Sequence, residues 1–298
     1  MKQYVVAVGM FDGVHRGHLY VLDRLKEIAS QKKLIPAVVT FPNHPRSIID
    51  PEKPKLLLTD IDTKVELIHR AGIDKVIVIP FTNELRQLTA AQFVQTILSD
   101  KLNVHTLLLG HDNGFGSDRL HSPLQYAQIL SPLGISVEQC DACPHIAVSS
   151  TAIRNALCEG DIEKANSLFG RNYTIEGPVV KGRQIGRQIG FPTANIATDP
   201  TLLLPRNGVY AAQVTSLSLP AVVNIGTAPT VTDGSKTTIE VHIITDIAPK
   251  SLDLYGKTLK IEILRHIRNE KKFADIDQLQ AAIADDRATA LSYLTSKS

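Results

Sequence analysis

The chain has 298 residues, of which 43% are hydrophobic and 21% charged, and its 32 basic and 30 acidic side chains leave a formal net charge of +2. At roughly 150 residues per domain, this length predicts about two domains. The composition excludes disordered, collagenous and coiled-coil proteins, and the small charge does not support a polyanion binder. Apolar runs fall short of the roughly 18 to 20 residues that span a bilayer. We therefore expect neither a nucleic-acid partner nor a membrane partner.

The N-terminal apolar stretch is too short to act as a secretory signal. Residues 4–8 are apolar, but Asp12, His15 and Arg16 follow within a few positions. We therefore expect a cytoplasmic protein.

The first half of the chain alternates strand-like and helical patterns. Apolar runs predict strands at residues 4–8, 35–41, 76–79 and 106–109, and helical spacing predicts helices at 18–32, 62–71, 90–98, 150–159 and 162–169. Such alternation is typical of a parallel sheet covered by helices.

After Gly170 the pattern changes to short β-branched runs separated by glycine and proline. Strands are predicted at residues 173–180, 208–214, 221–225, 238–244 and 258–264, which indicates a compact antiparallel barrel or sandwich. A closing helix over 276–294 is predicted to bury a face formed by Ile276, Leu279, Ile283, Leu291 and Leu294. This change of sequence pattern predicts two domains, at residues 1–170 and 171–298.

The turn between the first strand and the first helix reads Gly9-Met-Phe-Asp-Gly-Val-His15-Arg-Gly17-His18. Backbone N–H groups and the helix dipole favour phosphate at such a turn, and the glycines let the backbone approach it closely. His15 and His18 can both donate to phosphoryl oxygens, which stabilises charge that develops during in-line attack on an α-phosphorus. Zinc ligation or plain surface histidines would not explain the surrounding string. The predicted nucleotide-binding residues here are Gly9, Phe11, Asp12 and Gly17.

This string resembles the H-x-G-H nucleotidylyltransferase superfamily. Residues 41–45, 110–116 and 149–154 resemble, in order and spacing, further motifs of bacterial FMN adenylyltransferases. The resemblance implies a Rossmann-like parallel sheet in which Ser150 and Thr151 hold ATP phosphates and Arg154 clamps the departing pyrophosphate. Helix capping is the alternative role of the two hydroxyl groups.

On the flavin side, the resemblance implies contacts from His44 and Asp112, and the chain departs from the family there. The family usually has Glu-Asp-Phe or Glu-Asn-Phe where this chain has His111-Asp112-Asn113, and Leu57 stands where an arginine is common. His44 could instead only shape its proline-flanked turn.

A glycine-rich run in the second half reads Gly182-Arg-Gln-Ile-Gly186-Arg-Gln-Ile-Gly190-Phe-Pro-Thr193-Ala-Asn195. Such a loop can wrap phosphates through its amides, while the Thr193 hydroxyl and the Asn195 carbonyl suit a hard Mg²⁺ ion. The run lacks the Gly-Lys-Ser/Thr ending of a Walker A loop. It therefore predicts a nucleotide and magnesium site of another kind.

The glycine-rich run resembles the signature of riboflavin kinases, and the resemblance continues through residues 207–210, 224–230, 239–242, 254–256 and 267–273. It implies that Glu240 is the general base for the riboflavin 5′-hydroxyl and that Asn224 binds flavin. Without that context Glu240 would be an ordinary strand glutamate.

Several other residues leave two interpretations open. Arg183 and Arg187 could contact phosphate or be solvated. The aromatic residues Tyr210, Tyr255 and Phe273 could stack on flavin, but core packing is the simpler explanation. The Cys140-x-x-Cys143 spacing could belong to a zinc or redox site, but the sequence has no second such motif, so two incidental thiols are preferred.

Together the two halves resemble the bacterial bifunctional riboflavin kinase and FMN adenylyltransferase family. The resemblance implies conversion of riboflavin and ATP to FMN, then of FMN and a second ATP to FAD, with Mg²⁺ as cofactor and only small molecules as substrates. The departures at His111 and Asn113 leave a kinase-only enzyme as one alternative. A flavin-binding protein without turnover is another. A relative of aminoacyl-tRNA synthetases would share the H-x-G-H motif, but the chain lacks a Lys-Met-Ser-Lys-Ser segment and a basic appendage.

Overall fold

A computed structural model of the chain describes residues 2–99, 102–111, 114–118, 120, 122–144, 148–182, 186, 189–228, 236–245 and 254–296. The chain divides into two compact units, residues 1–150 and 151–298. Among the described helices, none has the length and apolar character needed to span a membrane.

The first unit contains the predicted parallel sheet. Its strands are β1 (Tyr4–Val8), β2 (Ile35–Thr40), β3 (Lys75–Val78), β4 (Val104–Leu109) and β5 (Ser136–Gln139), in the order β3-β2-β1-β4-β5. The central strand β1 is covered on both faces, since Val5 and Val6 on opposite faces are both fully buried. The sequence did not predict β5, because its residues are polar or only half buried.

Helices cover both faces of this sheet. They are α1 (Arg16–Lys32), α2 (Pro45–Ile49), α3 (Ile61–Arg70), α4 (Asn83–Gln87), α5 (Ala90–Phe93), which continues as a π-helical turn over Val94–Leu98, and α6 (Pro123–Leu130). Leu22 and Ile28 of α1 pack with Val5 on one face, and Phe93 and Tyr126 pack with Val6 on the other. The helical layers predicted from the sequence are therefore present.

The strand order determines where a ligand can bind. From the central strand β1 the chain first builds outward through β2 and β3, and then crosses to β4 and β5 on the other side. In open parallel sheets, ligands bind beyond the carboxyl ends of the strands at the point where this order reverses. The segments after β1, β2 and β4, which carry the first set of motifs, lie at that edge.

The second unit contains a closed antiparallel barrel, which decides between the barrel and the sandwich. Its strands are β6 (Tyr173–Val180), β7 (Ala194–Ile196), β8 (Gly208–Val214), β9 (Leu219–Ala228), β10 (Lys236–Ile243) and β11 (Thr258–Arg268), in the closed order β10-β7-β6-β11-β8-β9. In strand β6, buried residues alternate with intermediate or exposed ones, as in a strand that has one face in the barrel core.

Two helices precede the barrel in the chain, α7 (Ser150–Glu159) and α8 (Ile162–Phe169). In α8, the Asn166 amide donates to the Ile263 carbonyl at 2.9 Å, and its oxygen accepts from the Tyr173 backbone N–H at 2.7 Å. Helix α8 is therefore attached to β6 and β11. The compact unit begins at Thr151, whereas the composition changes at Gly170, where helix gives way to strand.

The last helix, α9 (Ile276–Thr295), buries only part of the predicted face, because Leu279, Ile283 and Leu294 are half buried. Ile276 and Leu291 are exposed, at 60% and 37%, and the buried residues are Asp286, Ala290 and Tyr293. The prediction was wrong for these two residues, and it left out Asp286, which is buried in an ion pair. Apolar periodicity alone does not reveal such a pair.

That ion pair joins α9 to the end of β11. The Arg268 guanidinium donates to both carboxylate oxygens of Asp286, at 2.9 Å from Nε to Oδ1 and 2.8 Å from Nη2 to Oδ2. Such two-point pairing fixes geometry as well as charge. Arg268 Nη1 also donates to the carbonyl of the next residue, Asn269, at 3.2 Å.

Replacing Asp286 by Asn keeps the shape of the side chain and removes its charge. Because the Arg268 guanidinium then loses its carboxylate partner in a largely buried place, we expect the free energy of unfolding of the second unit to fall by about 2 kcal/mol. Urea denaturation would measure it. The neighbouring, exposed Asp285→Asn is the control and should change the free energy by less than about 0.5 kcal/mol. Equal effects of the two substitutions would contradict this account.

Candidate active sites

The loop after β1 has an unusual backbone. Phe11, Gly13 and Val14 have φ values of 46°, 85° and 36°. Left-handed backbone is costly for bulky or β-branched residues and persists only where the surroundings hold it. Here the side chains of Phe11 and Val14 are buried in the core, and the Val14 N–H donates to the Phe11 carbonyl at 3.0 Å. The loop therefore has a fixed shape.

Residues 57–60, just before α3, hold this loop from the side. The Gly13 N–H donates to Thr59 Oγ1 at 3.1 Å, and the Leu58 N–H donates to Asp12 Oδ1 at 2.9 Å. Asp12 is buried, and so is the adjacent Leu57, which stands at the position where the related family commonly has arginine. Asp12, predicted to bind nucleotide, thus has one oxygen engaged in holding the loop.

His15 and His18 lie together at the start of α1. His15 is the N-cap, its Nδ1 accepts from the His18 N–H at 3.3 Å, and the two rings stack with centroids 3.7 Å apart. Because Nδ1 accepts, the proton of the neutral His15 ring is on Nε2. This pair is not two unrelated surface histidines, since His15 is only 5% exposed.

Gly17 leaves the space that the His15 ring occupies. A Cβ at position 17 would lie 3.2 Å from Cε1 and 3.3 Å from Nδ1 of His15. Such contacts are tighter than most real ones, so a side chain there would push against the stacked ring. The glycine in the motif is therefore explained by ring packing within the turn.

Ser150, the last residue of the first unit and the first of α7, contacts the same loop. The Ser150 hydroxyl donates to the Asp12 carbonyl at 3.2 Å. This contact joins residues that are 138 positions apart in sequence. Thr151 is exposed and Arg154 is partly buried, and both follow within the first turns of α7. The segment resembling a phosphate-binding motif thus starts at the loop that carries the histidines.

The flavin-side predictions have mixed outcomes. His44 is the N-cap of α2, and its Nδ1 accepts from the Arg46 N–H at 3.1 Å, so it does shape its turn. Asp112 and Asn113 lie outside the described residues, as do Arg183, Arg187 and Thr230. The His111 carbonyl accepts from Gln139 Nε2 at 3.1 Å. A flavin role for His44 and Asp112 stays a prediction.

The part of the chain that the structure describes contains no group of three or more His, Cys, Asp or Glu residues placed to hold a metal ion. Cys140 is buried and Cys143 is half buried. Burial raises the pKa of the Cys140 thiol, which makes the reactive thiolate less available. The interpretation of the two cysteines as incidental stays a prediction.

In the second unit, three predicted residues form one row across neighbouring strands. Glu240 on β10 lies directly opposite Asn195 on β7 and opposite Asn224 on β9. Residues directly opposite one another share a face of the sheet. Ile239 and Val241, which alternate with Glu240, are buried in the barrel, so the row lies on its outer face. The barrel thus brings together a carboxylate and two amides from distant segments.

The three glycines of the second motif have three different roles. A Cβ at Gly182 would lie 2.1 Å from Asn195 Nδ2, so the Asn195 amide fills that space. A Cβ at Gly186 would lie 2.2 Å from the Phe191 carbonyl, which marks a close approach of two backbones. Gly190 has φ of 82° with open space around it, so the turn itself requires it. Predicted phosphate contacts by these glycines stay predictions.

His242 is a residue whose role the sequence analysis missed. It lies two positions after Glu240 on the same face of β10, is 8% exposed, and has Nδ1 3.0 Å from the Pro192 carbonyl. A carbonyl only accepts, so Nδ1 carries a proton; Nε2 is buried without a hydrogen-bond partner among the described residues. The ring thereby holds the segment that contains Thr193.

A second carboxylate, that of Glu270, lies beside the row. A Cβ at Gly226 would lie 2.1 Å from Glu270 Oε1 and 3.5 Å from Asn224 Nδ2, and the Asn207 amide donates to Glu270 Oε2 at 3.2 Å. Glu270 belongs to a segment that the sequence analysis quoted without giving this residue a role. In the sequence, the glycine at position 226 was the feature that could have indicated another side chain close to the backbone there.

The aromatic residues left open by the sequence differ from one another. Tyr210 is fully buried, its hydroxyl donates to the Arg206 carbonyl, and burial raises its pKa to about 12, so core packing explains it. Tyr255 is 51% exposed and does not fill the core. The Phe273 ring lies under the Arg268 guanidinium, 5.5 Å from its centroid.

Comparison with known proteins agrees with both sets of motifs. Residues 1–152 match a family described as FAD synthetase, and residues 169–294 match the riboflavin kinase family. A bifunctional riboflavin kinase/FMN adenylyltransferase of Escherichia coli (strain K12) is 37% identical over 294 residues, covering 97% of this chain and 92% of that protein. One from Bacillus subtilis (strain 168) is 34% identical over 297 residues, covering 98% and 92%. The similarity spans both units.

A solved structure from Streptococcus pneumoniae, described as a macrolide-efflux protein, is also similar. It has a TM-score of 0.84 and 28% sequence identity, with 97% of this chain and 94% of that chain covered. The likeness therefore extends over both units of the fold.

Substitution of His242 should change how stability depends on pH. Burial lowers the pKa of His242, and the positive charge of Arg287 acts in the same direction. Below the ordinary histidine pKa of about 6.5, the unfolded chain therefore binds a proton that the folded protein resists. Stability from this group is present above that pH and is lost as the pH falls.

We expect His242→Asn, whose amide can still donate to Pro192, to flatten the loss of second-unit stability between pH 7.5 and 5.5. Urea denaturation at both pH values measures this loss. The exposed His111→Asn in the other unit serves as control and should leave it unchanged. An undiminished loss in His242→Asn would count against this role for burial.

Proposed function

The chain belongs to the family of bifunctional riboflavin kinases/FMN adenylyltransferases, and we propose how its residues divide the two reactions. The second unit phosphorylates riboflavin with ATP to give FMN and ADP. The first unit transfers AMP from a second ATP to FMN, which gives FAD and pyrophosphate. Membership with both domains matched favours this over a kinase-only enzyme, a flavin-binding protein without turnover or a relative of aminoacyl-tRNA synthetases.

In the first unit, an oxygen of the FMN phosphate attacks the α-phosphorus of ATP, and the bond to pyrophosphate breaks. His15 and His18 donate to the phosphoryl oxygens, on which charge accumulates. What supports this is the loop after β1: its fixed shape, the Nε2 proton of neutral His15, and the amides at the start of α1. The protein supplies position and charge, without a covalent intermediate.

The remaining contacts of that reaction come from α7 and the neighbouring loops. Ser150 and Thr151 hold the triphosphate, and Arg154 binds the departing pyrophosphate. The support is the start of α7 against the Asp12 carbonyl. Toward the flavin, His44 has Nδ1 occupied as an acceptor, so the Nε2 proton of the neutral ring is the donor it would offer. Asp112 keeps its predicted flavin role.

In the second unit, Glu240 takes the proton of the riboflavin 5′-hydroxyl as that oxygen attacks the γ-phosphorus of ATP, and ADP leaves. The observation that carries this proposal is the row Asn195, Glu240 and Asn224 across three strands. Asn224 binds flavin beside the base. The loop containing Gly182, Gly186 and Gly190 surrounds the phosphates.

Thr193 and Asn195 fit a magnesium ion by their chemistry. Both offer uncharged oxygen atoms, which hard cations accept, and the missing side chain at Gly182 leaves a cradle that the Asn195 amide fills. His242 holds the backbone just before Thr193. When bound, Mg²⁺ supplies positive charge that offsets charge on the phosphates of ATP.

The protein works on small molecules in the cytoplasm under this proposal. Both reactions consume ATP, and neither requires nucleic acid or a membrane. The formal net charge of +2 on 298 residues is in keeping with that.

A single substitution in one unit should abolish one reaction and leave the other intact. Glu240→Gln removes the base, so FMN formation should fall at least about 100-fold, while FAD formation from added FMN survives. His18→Ala should do the reverse, because it removes a donor to the phosphoryl oxygens. Chromatography of riboflavin, FMN and FAD over time measures both reactions.

Each variant is the control for the other in the same assay, with folding checked by circular dichroism. If either substitution stopped both reactions in a folded protein, the division of the two reactions between the units would be wrong.

Adding one methyl group at Gly182 should alter the response to magnesium. In Gly182→Ala the new Cβ displaces the Asn195 amide, so the Mg²⁺ concentration for half-maximal FMN formation should rise about tenfold or more. FAD formation from added FMN should not change. Lys181→Ala, at the exposed neighbouring position, is the matched control. An unchanged magnesium response in Gly182→Ala would exclude this role for Asn195.

A further inference from the structure

Lys64 of α3 is a fully buried lysine in the first unit. Its exposure is 0%, whereas the other lysines of known burial lie at intermediate or exposed positions. Burying an ammonium group is costly unless it is paired, so lysines are rarely found fully buried. Neither proposed reaction assigns a role to this charge. Its position therefore needs a separate explanation.

The ammonium group is bound to the end of β2. Lys64 Nζ donates to the Phe41 carbonyl at 2.7 Å, a short hydrogen bond from a charged donor. Phe41 directly follows β2 and opens the segment that leads to His44 and α2. Lys64 thus holds the backbone where this segment leaves the sheet.

Two carboxylates act on the same ammonium group, one from the loop after β1 and one from the start of α3 itself. Asp12 lies in the loop after β1, and Asp60 is the N-cap of α3, where it accepts from the Thr63 N–H at 2.7 Å and from the Thr63 hydroxyl at 2.8 Å. Asp12 has the larger effect on Lys64, and these are the charged groups that favour its protonated form. The Leu58 N–H, two residues before Asp60, donates to Asp12 Oδ1 at 2.9 Å, so the loop after β1 is attached to the segment that opens α3, while Lys64 attaches α3 to the end of β2.

The two loops that α3 and Lys64 connect are the ones with candidate phosphate and flavin contacts. The Asp12 backbone also accepts from Ser150, so the same loop receives the start of α7. At the carboxyl edge of the sheet, where the strand order reverses, three sequence-distant segments are thus connected through the surroundings of one buried charge.

We propose that Lys64 is a positioning residue for adenylyl transfer, whose buried positive charge holds the loops after β1 and β2 in the arrangement that receives ATP and FMN. It acts through the Phe41 carbonyl and Asp12 and does not itself touch substrate. The inference rests on the proposed function of the first unit.

Loss of this charge has two opposite consequences. Burial lowers the pKa of Lys64 to about 8, against the attraction of Asp12 and Asp60. Above that pH the neutral amine still donates a hydrogen bond, but without charge assistance and without attraction to Asp12. Adenylyl transfer should therefore fall as the pH rises through about 8.

The contribution of Lys64 to stability rises with pH, whereas adenylyl transfer is expected to fall. Its ordinary pKa is 10.5, so between about 8 and that value the unfolded chain binds a proton that the folded protein has released. Its contribution to the stability of the first unit rises with pH across this window. A loss of activity in this pH window is therefore not explained by unfolding, because deprotonation of Lys64 makes the folded state more stable.

The experiment compares both activities of the full chain between pH 7 and 9.5. FAD formation from added FMN is divided by FMN formation from riboflavin in the same preparation, with Mg²⁺ and ATP saturating. The kinase acts as an internal reference, because it does not use the first unit's loops. In the unmodified protein we expect the ratio to fall with a midpoint near pH 8.

Two variants test whether Lys64 causes the fall. Lys64→Met keeps most of the side-chain length and removes the charge and the hydrogen bond to Phe41, so FAD formation at pH 7 should drop about tenfold and the ratio should no longer depend on pH. Lys64→Arg keeps a charge above pH 8 and should move the fall to higher pH. Lys53→Met removes an exposed lysine charge from the same unit and should behave as the unmodified protein.

The outcomes separate this inference from the proposed function. No FAD formation by the unmodified protein would overturn the function of the first unit itself. A ratio that is constant with pH would overturn the role of Lys64 alone, and so would a folded Lys64→Met that keeps both the rate and the fall near pH 8. If circular dichroism shows that Lys64→Met does not fold, the pH dependence of the ratio in the unmodified protein is the test. A fall with a midpoint near pH 8 supports the role of Lys64, and a constant ratio overturns it.

Discussion

The left-handed backbone at Phe11 and Val14 is the constraint on which the first site depends. These residues adopt that conformation because their side chains are buried and because the segment before α3 binds the loop from the side. The loop in turn sets His15 as the N-cap of α1 and receives Ser150 at the start of α7. Strain of this kind stays only where packing enforces it, so the core and the site are parts of one arrangement.

The second site is built by strand register. Glu240, Asn195 and Asn224 meet because β10 pairs with β7 on one side and β9 on the other, and a shift by one residue would turn Glu240 into the barrel. Glycines at 182 and 226 then leave the space that the Asn195 amide and the Glu270 carboxylate occupy. The two sites thus rely on different devices, a locked loop in one and paired strands in the other.

Much of this could be predicted from the sequence, and the failures have identifiable causes. The helices α7 and α8 and the strands β6 and β8 were predicted with their observed bounds, since each has a clear period and a clear stop. Strand β5 was missed because it is polar and only partly buried. The face of α9 was predicted only in part, because Asp286 is buried through its pairing with Arg268 and gives no apolar signal. Lys64 and His242 were missed because a single polar residue in an apolar pattern has no period.

The sequence by itself determined the two-part architecture, the position of both motifs and the family. These follow from the local spacing of apolar residues, glycines and histidines, which can be read directly from the sequence. Only the tertiary structure decided which atoms meet: the Ser150 hydroxyl on the Asp12 carbonyl, Glu240 between two asparagines, and the Lys64 ammonium on the Phe41 carbonyl. Contacts between distant segments depend on strand order, register and burial, because these set the distance and the electrostatic environment of each group.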